Sequence, residues 1–248
     1  MKTSGALATE FAKTKRLRVG LIVATLTVAV TSLTITSAVT NPAFSTSQHS
    51  WITLLASMGL AFPICSPLLL SVIASRQVEI EHQYNGWIFA LTCGVTPGTL
   101  CRLKLLTTGA GVILATVAIS LLVLVFGLLV GDGNRPPWGL WAGYTLCVLV
   151  VNLVVLALHI LLAAQVQNQL ISLGIGVLGT LLGVFASALP STIAHVTPWG
   201  YYFLARVAEY QGEVLVLESP AFISITAMAV VAAVAFTAVT AFFDRQEA

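Results

Sequence analysis

Apolar and polar positions are grouped along this chain into blocks whose length matches the thickness of a membrane. Mostly apolar stretches recur at six places, and an α-helix needs roughly 20 such residues to cross about 30 Å of hydrocarbon. The pattern therefore predicts an all-α, polytopic membrane protein with six transmembrane helices and no separate soluble domain. The predicted spans are 19–38, 52–74, 105–130, 139–164, 170–189 and 221–243.

The composition agrees with this pattern. Hydrophobic residues make up 58% of the 248 residues and charged residues only 8%, whereas soluble domains carry roughly 25% charge. The mean hydropathy is +0.98. The net charge of +2 does not indicate nucleic-acid binding, because the basic residues lie at the ends of spans instead of forming a patch.

The basic residues predict the orientation. They precede the first span and flank the connection between the second and third, whereas the loops after the first, third and fifth spans hold only Arg135 and Arg206. The positive-inside rule then places both termini and the 75–104 connection in the cytoplasm. The basic residues on the predicted inner side are Lys2, Lys13, Lys15, Arg16, Arg18, Arg76, Arg102 and Lys104.

Residues 1–18 are predicted to form a helix that lies in the membrane interface. Leu7, Phe11 and Leu17 are spaced against Lys13 and Arg16, as in an amphipathic interfacial helix. Two alternatives remain open, a cleaved signal peptide and a solvated tail. The apolar run that follows is longer than the 7–15 residues of a typical signal-peptide core, which disfavours the first of them.

Two spans carry faces suited to close helix packing. Thr27, Thr31 and Thr34 fall on one stripe of the first span, and Gly179 and Gly183 form a small-residue pair in the fifth. Small and hydroxyl residues let helices in lipid approach closely and hydrogen-bond. These faces fit either packing within the chain or contact with a second subunit.

The fourth span presents Thr145, Asn152 and His159 at seven-residue intervals, so the three side chains share a face. Polar groups in hydrocarbon face protein or a water-filled path. We expect interhelical hydrogen bonding or, alternatively, a substrate path. No predicted span has Asp, Glu, Lys or Arg near its middle, which argues against proton- or sodium-coupled transport.

The outer segment 190–220 combines aromatic residues, including Trp199 and Tyr201, with Glu209, Glu213 and Glu218. Aromatic side chains beside a span favour the boundary between water and lipid. We expect a pair of short amphipathic helices that dip into this interface.

Motifs for enzyme chemistry are absent from the sequence. It has no P-loop, no dinucleotide-binding glycine motif, no zinc-protease motif and no nucleophile elbow. The four cysteines form no C-x-x-C pair, and no cluster of histidines lies near them in the sequence. The sequence therefore implies no disulfide framework and no metal site, and we expect no cofactor. An intramembrane enzyme and a non-transporting scaffold or sensor accessory are kept as alternatives to a transport function.

The connection between the second and third spans, 75–104, concentrates charge that the rest of the chain avoids. It contains Glu79, Glu81, His82 and Trp87. A polar helical segment anchored by an aromatic residue at the membrane suits docking of a cytoplasmic partner. An ordinary solvated loop is the other interpretation.

Here the sequence resembles the permease subunits of ABC-2-type exporters, in particular the short six-helix permeases of the lantibiotic-immunity group. After the second span those permeases carry a Glu-His pair, an Asn and a Trp, and a Lys opens the third span. Glu81, His82, Asn85, Trp87 and Lys104 stand in these places. A Pro-Trp pair after the fifth span corresponds to Pro198 and Trp199.

The resemblance implies a transmembrane permease subunit with the architecture of a type V exporter, working as a dimer with itself or a homologous permease. A separate P-loop ATPase would drive it, so the chain itself would not be an enzyme. The resemblance also implies that Glu79, Glu81, His82 and Trp87 couple to the ATPase and that the first and fifth spans meet across the dimer. The cargo would be an antimicrobial peptide, a drug or another amphipathic molecule, with a role in antimicrobial-peptide immunity or multidrug resistance.

Overall fold

The structure is a computed structural model, and it describes residues 3–42, 44, 50–130, 134–188, 191–211 and 214–246. Within these ranges, six helices are long and apolar enough to cross a membrane. Their bounds are Val19–Val39, Ser50–Gln83, Pro97–Val130, Trp138–Gln165, Gln169–Ala188 and Phe222–Arg245. The predicted all-α, six-span architecture is therefore confirmed.

The helices and strands are numbered here in chain order. The helices are α1 (Thr3–Arg16), α2 (Val19–Val39), α3 (Ser50–Gln83), α4 (Gly86–Thr92), α5 (Pro97–Val130), α6 (Trp138–Gln165), α7 (Gln169–Val184), α8 (Ser191–Val196), α9 (Tyr201–Leu204) and α10 (Phe222–Gln246). Two 3₁₀ turns, Phe185–Ala188 and Pro198–Gly200, precede α8 and α9. The strands are β1 (Ala208–Gln211) and β2 (Val214–Leu217).

The bundle has two ends, which are named here basal and distal. At the basal end α1 and α4 lie near the start of α5, and Arg102 of α5 forms an ion pair with Asp244 near the end of α10. At the distal end the Trp51 indole of α3 donates a 2.8 Å hydrogen bond to the carbonyl of Asn134, just before α6. Residues 131–133, part of the predicted outer turn, lie outside the described residues.

Helix α3 is the centre of the bundle. It packs against α2, α6 and α7. Phe62 and Leu70 of α3, Leu26 of α2 and Leu156 of α6 are among the fully buried residues of the core. Buried apolar faces of this kind hold the helices together by close packing, since lipid is as apolar as the side chains.

The 75–104 connection is mostly helical. Both α3 and α5 contain 34 residues, which at 1.5 Å per residue makes each about 51 Å long, against about 30 Å of hydrocarbon. The two helices continue past the predicted span ends at 74 and 105 and project at the basal end, with α4 between them. The connection is therefore mainly helical, as the first of its two interpretations predicts, and an ordinary solvated loop does not describe most of its residues.

The segment 190–220 is a short helical stretch followed by a β-hairpin. Helices α8 and α9 account for its first half, as predicted, and residues 189–190 lie outside the described residues. Strands β1 and β2 pair antiparallel from Ala208 with Leu217 to Gln211 with Val214. The two short helices correspond to the predicted pair, whereas the strands were not predicted; the run Val-Leu-Val-Leu of β2 favours a strand.

Helix α1 packs on the basal end of the bundle. Its Ala6 shares a small apolar cluster with Val95, Leu100 and Leu103 at the start of α5. The chain then turns at Arg18, which has a positive φ of 54°, and enters α2. The N-terminal segment is thus a folded part of the basal end.

Candidate coupling site at the basal end

Four charged side chains from three helices meet inside the basal end and are called here the ion cluster: Glu10 and Lys13 of α1, Glu81 of α3 and Lys104 of α5. The Lys104 ammonium lies 2.7 Å from the Glu81 carboxylate and 3.0 Å from that of Glu10. The Lys13 ammonium lies 2.7 Å from each of the same two carboxylates. Two positive and two negative charges therefore form a neutral, interlocked group.

Burial makes this cluster energetically significant. The Lys104 side chain is 0% exposed, and the side chains of Glu10 and Glu81 are each 2% exposed. A buried charge is tolerated only when it is paired and hydrogen-bonded, and removing one partner costs roughly 3–5 kcal/mol. The Lys104 ammonium donates its third hydrogen bond to the carbonyl of Gln77, at 2.8 Å. The cluster therefore fixes the relative positions of α1, α3 and α5.

The environment of Lys13 favours its charged form. Partial burial alone would lower the pKa of its ammonium, but the hydrogen bonds and ion pairs with Glu10 and Glu81 outweigh burial and raise the pKa. Lys13 consequently stays charged throughout the physiological range, as the pairing of the two carboxylates requires.

A second hydrogen bond ties α1 to α3. The Gln77 side-chain amide donates to the hydroxyl of Thr14 at 2.8 Å, and Thr14 itself donates to the carbonyl of Glu10 at 2.9 Å. These contacts lie on the same side of α1 as Glu10. The helix is therefore held along its length and not at one point.

His82 connects the end of α3 to the end of α6. Its Nε2 lies 2.9 Å from the carbonyl of Ala163, and the Trp87 indole donates to its Nδ1 at 3.3 Å. Since Nδ1 accepts, Nε2 carries the proton and donates to Ala163, which is the neutral form of the ring. Trp87 thus supports the histidine from α4 in an edge-to-face contact, with the ring centres 5.6 Å apart.

The turn between α3 and α4 requires glycine next to the ion cluster. Asn85 adopts a positive φ of 50° and starts α4. A Cβ atom on the following residue, Gly86, would lie 2.0 Å from the Glu81 carboxylate and 2.9 Å from the Cα of Glu81. Sequence reasoning did not single out Gly86, although the Asn-Gly pair is itself a turn signal.

Helix α4 carries an exposed apolar surface. Tyr84, Ile88 and Phe89 are 74%, 63% and 71% exposed, and no residue of α4 is buried. These three residues are called here the α4 surface. Sequence analysis concentrated on the charges of this segment and missed them, although large apolar side chains in a polar connection are a recognisable sign of a contact surface.

The structure thus changes the roles of the predicted coupling residues. Glu79 is half-buried and accepts a hydrogen bond from Gln83. Glu81 lies inside the ion cluster, and His82 and Trp87 hold α3, α4 and α6 together. The expectation of a free charged face formed by Glu79, Glu81 and His82 is therefore wrong for Glu81, because its charge is fully used inside the chain.

The predicted path residues lie on one face of α6, where Asn152 and His159 are buried and Thr145 is half-buried. The Asn152 amide donates to Thr116 at 3.0 Å and accepts from the Tyr202 hydroxyl at 2.6 Å. Thr145 lies 2.8 Å from the hydroxyl of Ser120. Asn152 and Thr145 therefore form hydrogen bonds between helices, which is the first of the two roles expected from the sequence.

His159 differs from the other two. It is fully buried, and neither ring nitrogen has a hydrogen-bond partner among the described residues. Its ring packs against that of Trp199, with the ring centres 6.1 Å apart. The contact shows that the segment before α9 reaches into the bundle as far as α6.

The small-residue face of α7 is filled from within the chain. A Cβ atom on Gly179 would lie 2.3 Å from the Trp199 indole, and one on Gly183 would lie 3.2 Å from Pro63. Both glycines are buried. Trp199 and Pro63 of the same chain occupy the space beside the two glycines, and the predicted role of this face in a dimer interface stays a prediction.

The threonine stripe of α2 is only partly available to a partner. Thr34 is buried and donates to the carbonyl of Val30 at 2.7 Å. Thr27 is half-buried and donates to the carbonyl of Val23 at 3.0 Å. The Thr31 hydroxyl has no partner in the described part of the chain. Thr34 therefore packs inside the subunit.

Residues 6–183 match a protein family described as ABC-2 family transporter protein. A search of curated proteins found no match. The matched range includes the whole ion cluster, the α4 surface and the polar face of α6. Among the described residues, no group of three or more His, Cys, Asp or Glu is arranged to hold a metal ion.

Proposed function

This chain belongs to the ABC-2 transporter family, and we propose that it is the permease subunit of an exporter driven by a separate ATPase. The observation that carries the proposal is the construction of the basal end. The exposed apolar helix α4 lies between the spans α3 and α5, and the buried ion cluster joins both spans to α1. Such an element can receive force from a partner and pass it to the spans.

We infer that the basal end faces the cytoplasm. Among the described residues, all Lys and Arg side chains except Arg135 and Arg206 lie on α1, at the start of α2 or on the basal parts of α3, α5 and α10. The positive-inside rule assigns the side rich in basic residues to the cytoplasm. An ATPase would then reach α4 directly, and the natural location is the plasma membrane of a bacterial cell.

The proposed coupling contact is the α4 surface and not the Glu81 carboxylate. Aromatic residues, including Tyr and Phe, are enriched in the buried centres of protein interfaces. Tyr84, Ile88 and Phe89 are exposed, whereas Glu81 is not accessible. The ion cluster would transmit the movement, because a push on α4 must move α3 and α5 together and carry α1 with them.

A dimer is also part of the proposal. Helices α2 and α7 both pack against α3, and each leaves exposed apolar residues within the subunit. The α2 stripe includes Leu21 and Val28, and the α7 stripe includes Val177 and Leu178. Contact between the α2 stripe of one subunit and the α7 stripe of a second copy or a homologous permease would cover both.

The proposed cargo is an amphipathic molecule such as an antimicrobial peptide or a hydrophobic drug, consistent with the apolar spans and with a role in self-protection. Proton-driven transport is disfavoured, because the charged side chains lie near the ends of the spans, where several of those at the basal end form ion pairs. The energy is therefore proposed to come from ATP hydrolysis by the partner.

The test is recovery of a P-loop ATPase with the tagged chain from its native membrane. We expect the double variant I88S/F89A to lose most of the ATPase while its thermal stability stays near that of the parent, since both side chains are exposed. The matched control is I193S/V196A, which removes partly or fully exposed apolar residues from α8 at the distal end. Equal ATPase recovery with I88S/F89A and the parent chain would show that α4 is not the contact.

A further inference from the structure

An open groove of about 830 Å³ lies at the basal end between α1, the end of α3 and α4. It is called here the basal groove. Its volume falls within the roughly 300–1,000 Å³ of typical small-molecule clefts. Apolar side chains, including Leu17, Ile80, Phe89 and Leu100, form much of its wall.

The charges that line the basal groove are unevenly paired. Lys13, Glu10 and Glu81 also line it, but their charges are balanced within the ion cluster together with Lys104. Arg16 and Arg76 form no ion pair within the described residues, and both are exposed. The remaining carboxylate, Glu79, accepts a hydrogen bond from Gln83. Outside the ion cluster, the groove lining therefore has two guanidinium groups without an ion pair in the described part of the chain and one carboxylate, which gives it a net positive charge.

The groove lies at the depth of lipid headgroups. Arg16 is the last residue of α1, three residues before the span α2 begins at Val19. Arg76 lies on the part of α3 that extends beyond the apolar stretch 52–74. Basic side chains at the end of a span attract the phosphates of acidic lipids, with each Lys or Arg contributing about 1 kcal/mol near the surface.

We propose that the basal groove binds one acidic phospholipid of the adjacent leaflet. Arg16 and Arg76 would hold the phosphate, since guanidinium groups bind phosphate oxygens in pairs of parallel hydrogen bonds. The first part of the acyl chains would lie against Leu17 and Ile80. The combination of a basic rim, an apolar wall and headgroup depth favours a lipid over an acidic protein segment, which would leave the apolar wall uncovered.

The experiment uses the full-length chain purified in detergent. It is titrated with phosphatidylglycerol or phosphatidylcholine of the same acyl composition, and the lipid retained is measured by native mass spectrometry. We expect preferential retention of phosphatidylglycerol by the parent chain. The double variant R16Q/R76Q should weaken that retention by about 25-fold, about fivefold for each arginine.

Two further variants separate this site from general surface charge and from misfolding. K15Q/R245Q removes the same number of positive charges from exposed basal positions outside the groove, and it should retain the lipid like the parent. R16K/R76K keeps the charges and should retain most of the preference, so it shows whether the groove survives substitution. Millimolar inorganic phosphate should displace little of the lipid, since it lacks the acyl chains that the apolar wall contacts.

Several results would overturn the proposal. Equal retention of the two lipids by the parent, an unchanged preference in R16Q/R76Q, or an equal loss in K15Q/R245Q would each exclude a specific acidic-lipid site. Full displacement of the lipid by inorganic phosphate would mean that the groove recognises phosphate alone. Loss of ATPase recovery in R16Q/R76Q with lipid retention at the parent level would make the groove a protein-docking surface instead.

Discussion

The ammonium of Lys104 lies 2.7 Å from the carboxylate of Glu81, which joins the start of α5 to the end of α3 in a fully buried contact. Both residues lie beyond the apolar parts of their helices, and the Glu81 carboxylate also forms an ion pair with Lys13 of α1. This relationship makes the basal end one mechanical unit, and it underlies the first two predictions.

The first prediction concerns the ion cluster itself. K104M removes one of two positive charges and leaves Glu10 and Glu81 sharing Lys13, so it should destabilise the fold by roughly 3–5 kcal/mol. E81Q should also be destabilising, because it leaves two ammonium groups with one carboxylate. The double variant E81Q/K104M restores neutrality and should cost clearly less than the two single changes added together. The measurement is the thermal unfolding midpoint in detergent, and simple additivity would show that the two charges do not depend on each other.

The second prediction concerns Gly86. G86A places a Cβ atom 2.0 Å from the Glu81 carboxylate, so the ion cluster must shift, at a cost of roughly 1–3 kcal/mol. The control is G139A in α6, where a Cβ atom would meet nothing within 4 Å. That control should be neutral or slightly stabilising. Equal unfolding midpoints for G86A and G139A would contradict the close contact at Gly86.

The third prediction distinguishes packing inside the subunit from packing between subunits. G179A directs a Cβ atom at the Trp199 indole, 2.3 Å away, and should lower stability by roughly 1–3 kcal/mol. G174A, on the same helix, meets nothing within 4 Å and should be tolerated. The loss of stability in G179A should persist in a sample that chemical cross-linking shows to be monomeric. A loss that appears only in dimers would mean that Gly179 packs against a partner after all.

The fourth prediction tests the dimer proposal. Val28 of α2 and Leu178 of α7 each lie nine residues after the first residue of their helices and are well exposed. In a background free of native cysteines, chains carrying V28C and L178C should cross-link to each other when mixed in one membrane. A chain carrying V234C on α10, also exposed, should not cross-link with V28C. The reverse pattern would place α10, and not α7, at the interface.

The fifth prediction concerns orientation. A reporter fused after Ala248 should be active only as a cytoplasmic fusion, and a cysteine at Gly133 should be labelled from outside the cell. Both residues lie outside the described part of the structure, so this test is independent of it. Labelling of position 133 from the inside would reverse the assignment of the basal end to the cytoplasm.

The sequence located the important segment but not the roles of its residues. The charges of 75–104 were visible, and the Glu-His-Asn-Trp-Lys order supported the family that the match over residues 6–183 shows. Whether Glu81 is exposed or buried depends on how α1 and α5 pack beside it in the folded chain. Lys104 is 23 positions away along the chain and Lys13 is 68 positions away, and no local pattern reports contacts at such separations.

The glycines of α7 illustrate the same limit. A small-residue face predicts close approach by some partner, and the structure confirms close approach at Gly179. The pattern does not state whether the partner belongs to the same chain. Here it is Trp199, 20 residues later, brought back into the bundle by a turn that the sequence did not reveal.

The sequence by itself determined the number of spans, their approximate bounds and the all-α class. This follows because in lipid a backbone must satisfy its own hydrogen bonds, so each apolar stretch of about 20 residues has to be a helix. Only the tertiary structure decided which polar groups are buried in pairs and which apolar groups remain exposed. The penalty for burying a charge depends on where its partner lies in space, and so the burial of Glu81 and Lys104 and the exposure of Ile88 and Phe89 were set by how the helices pack.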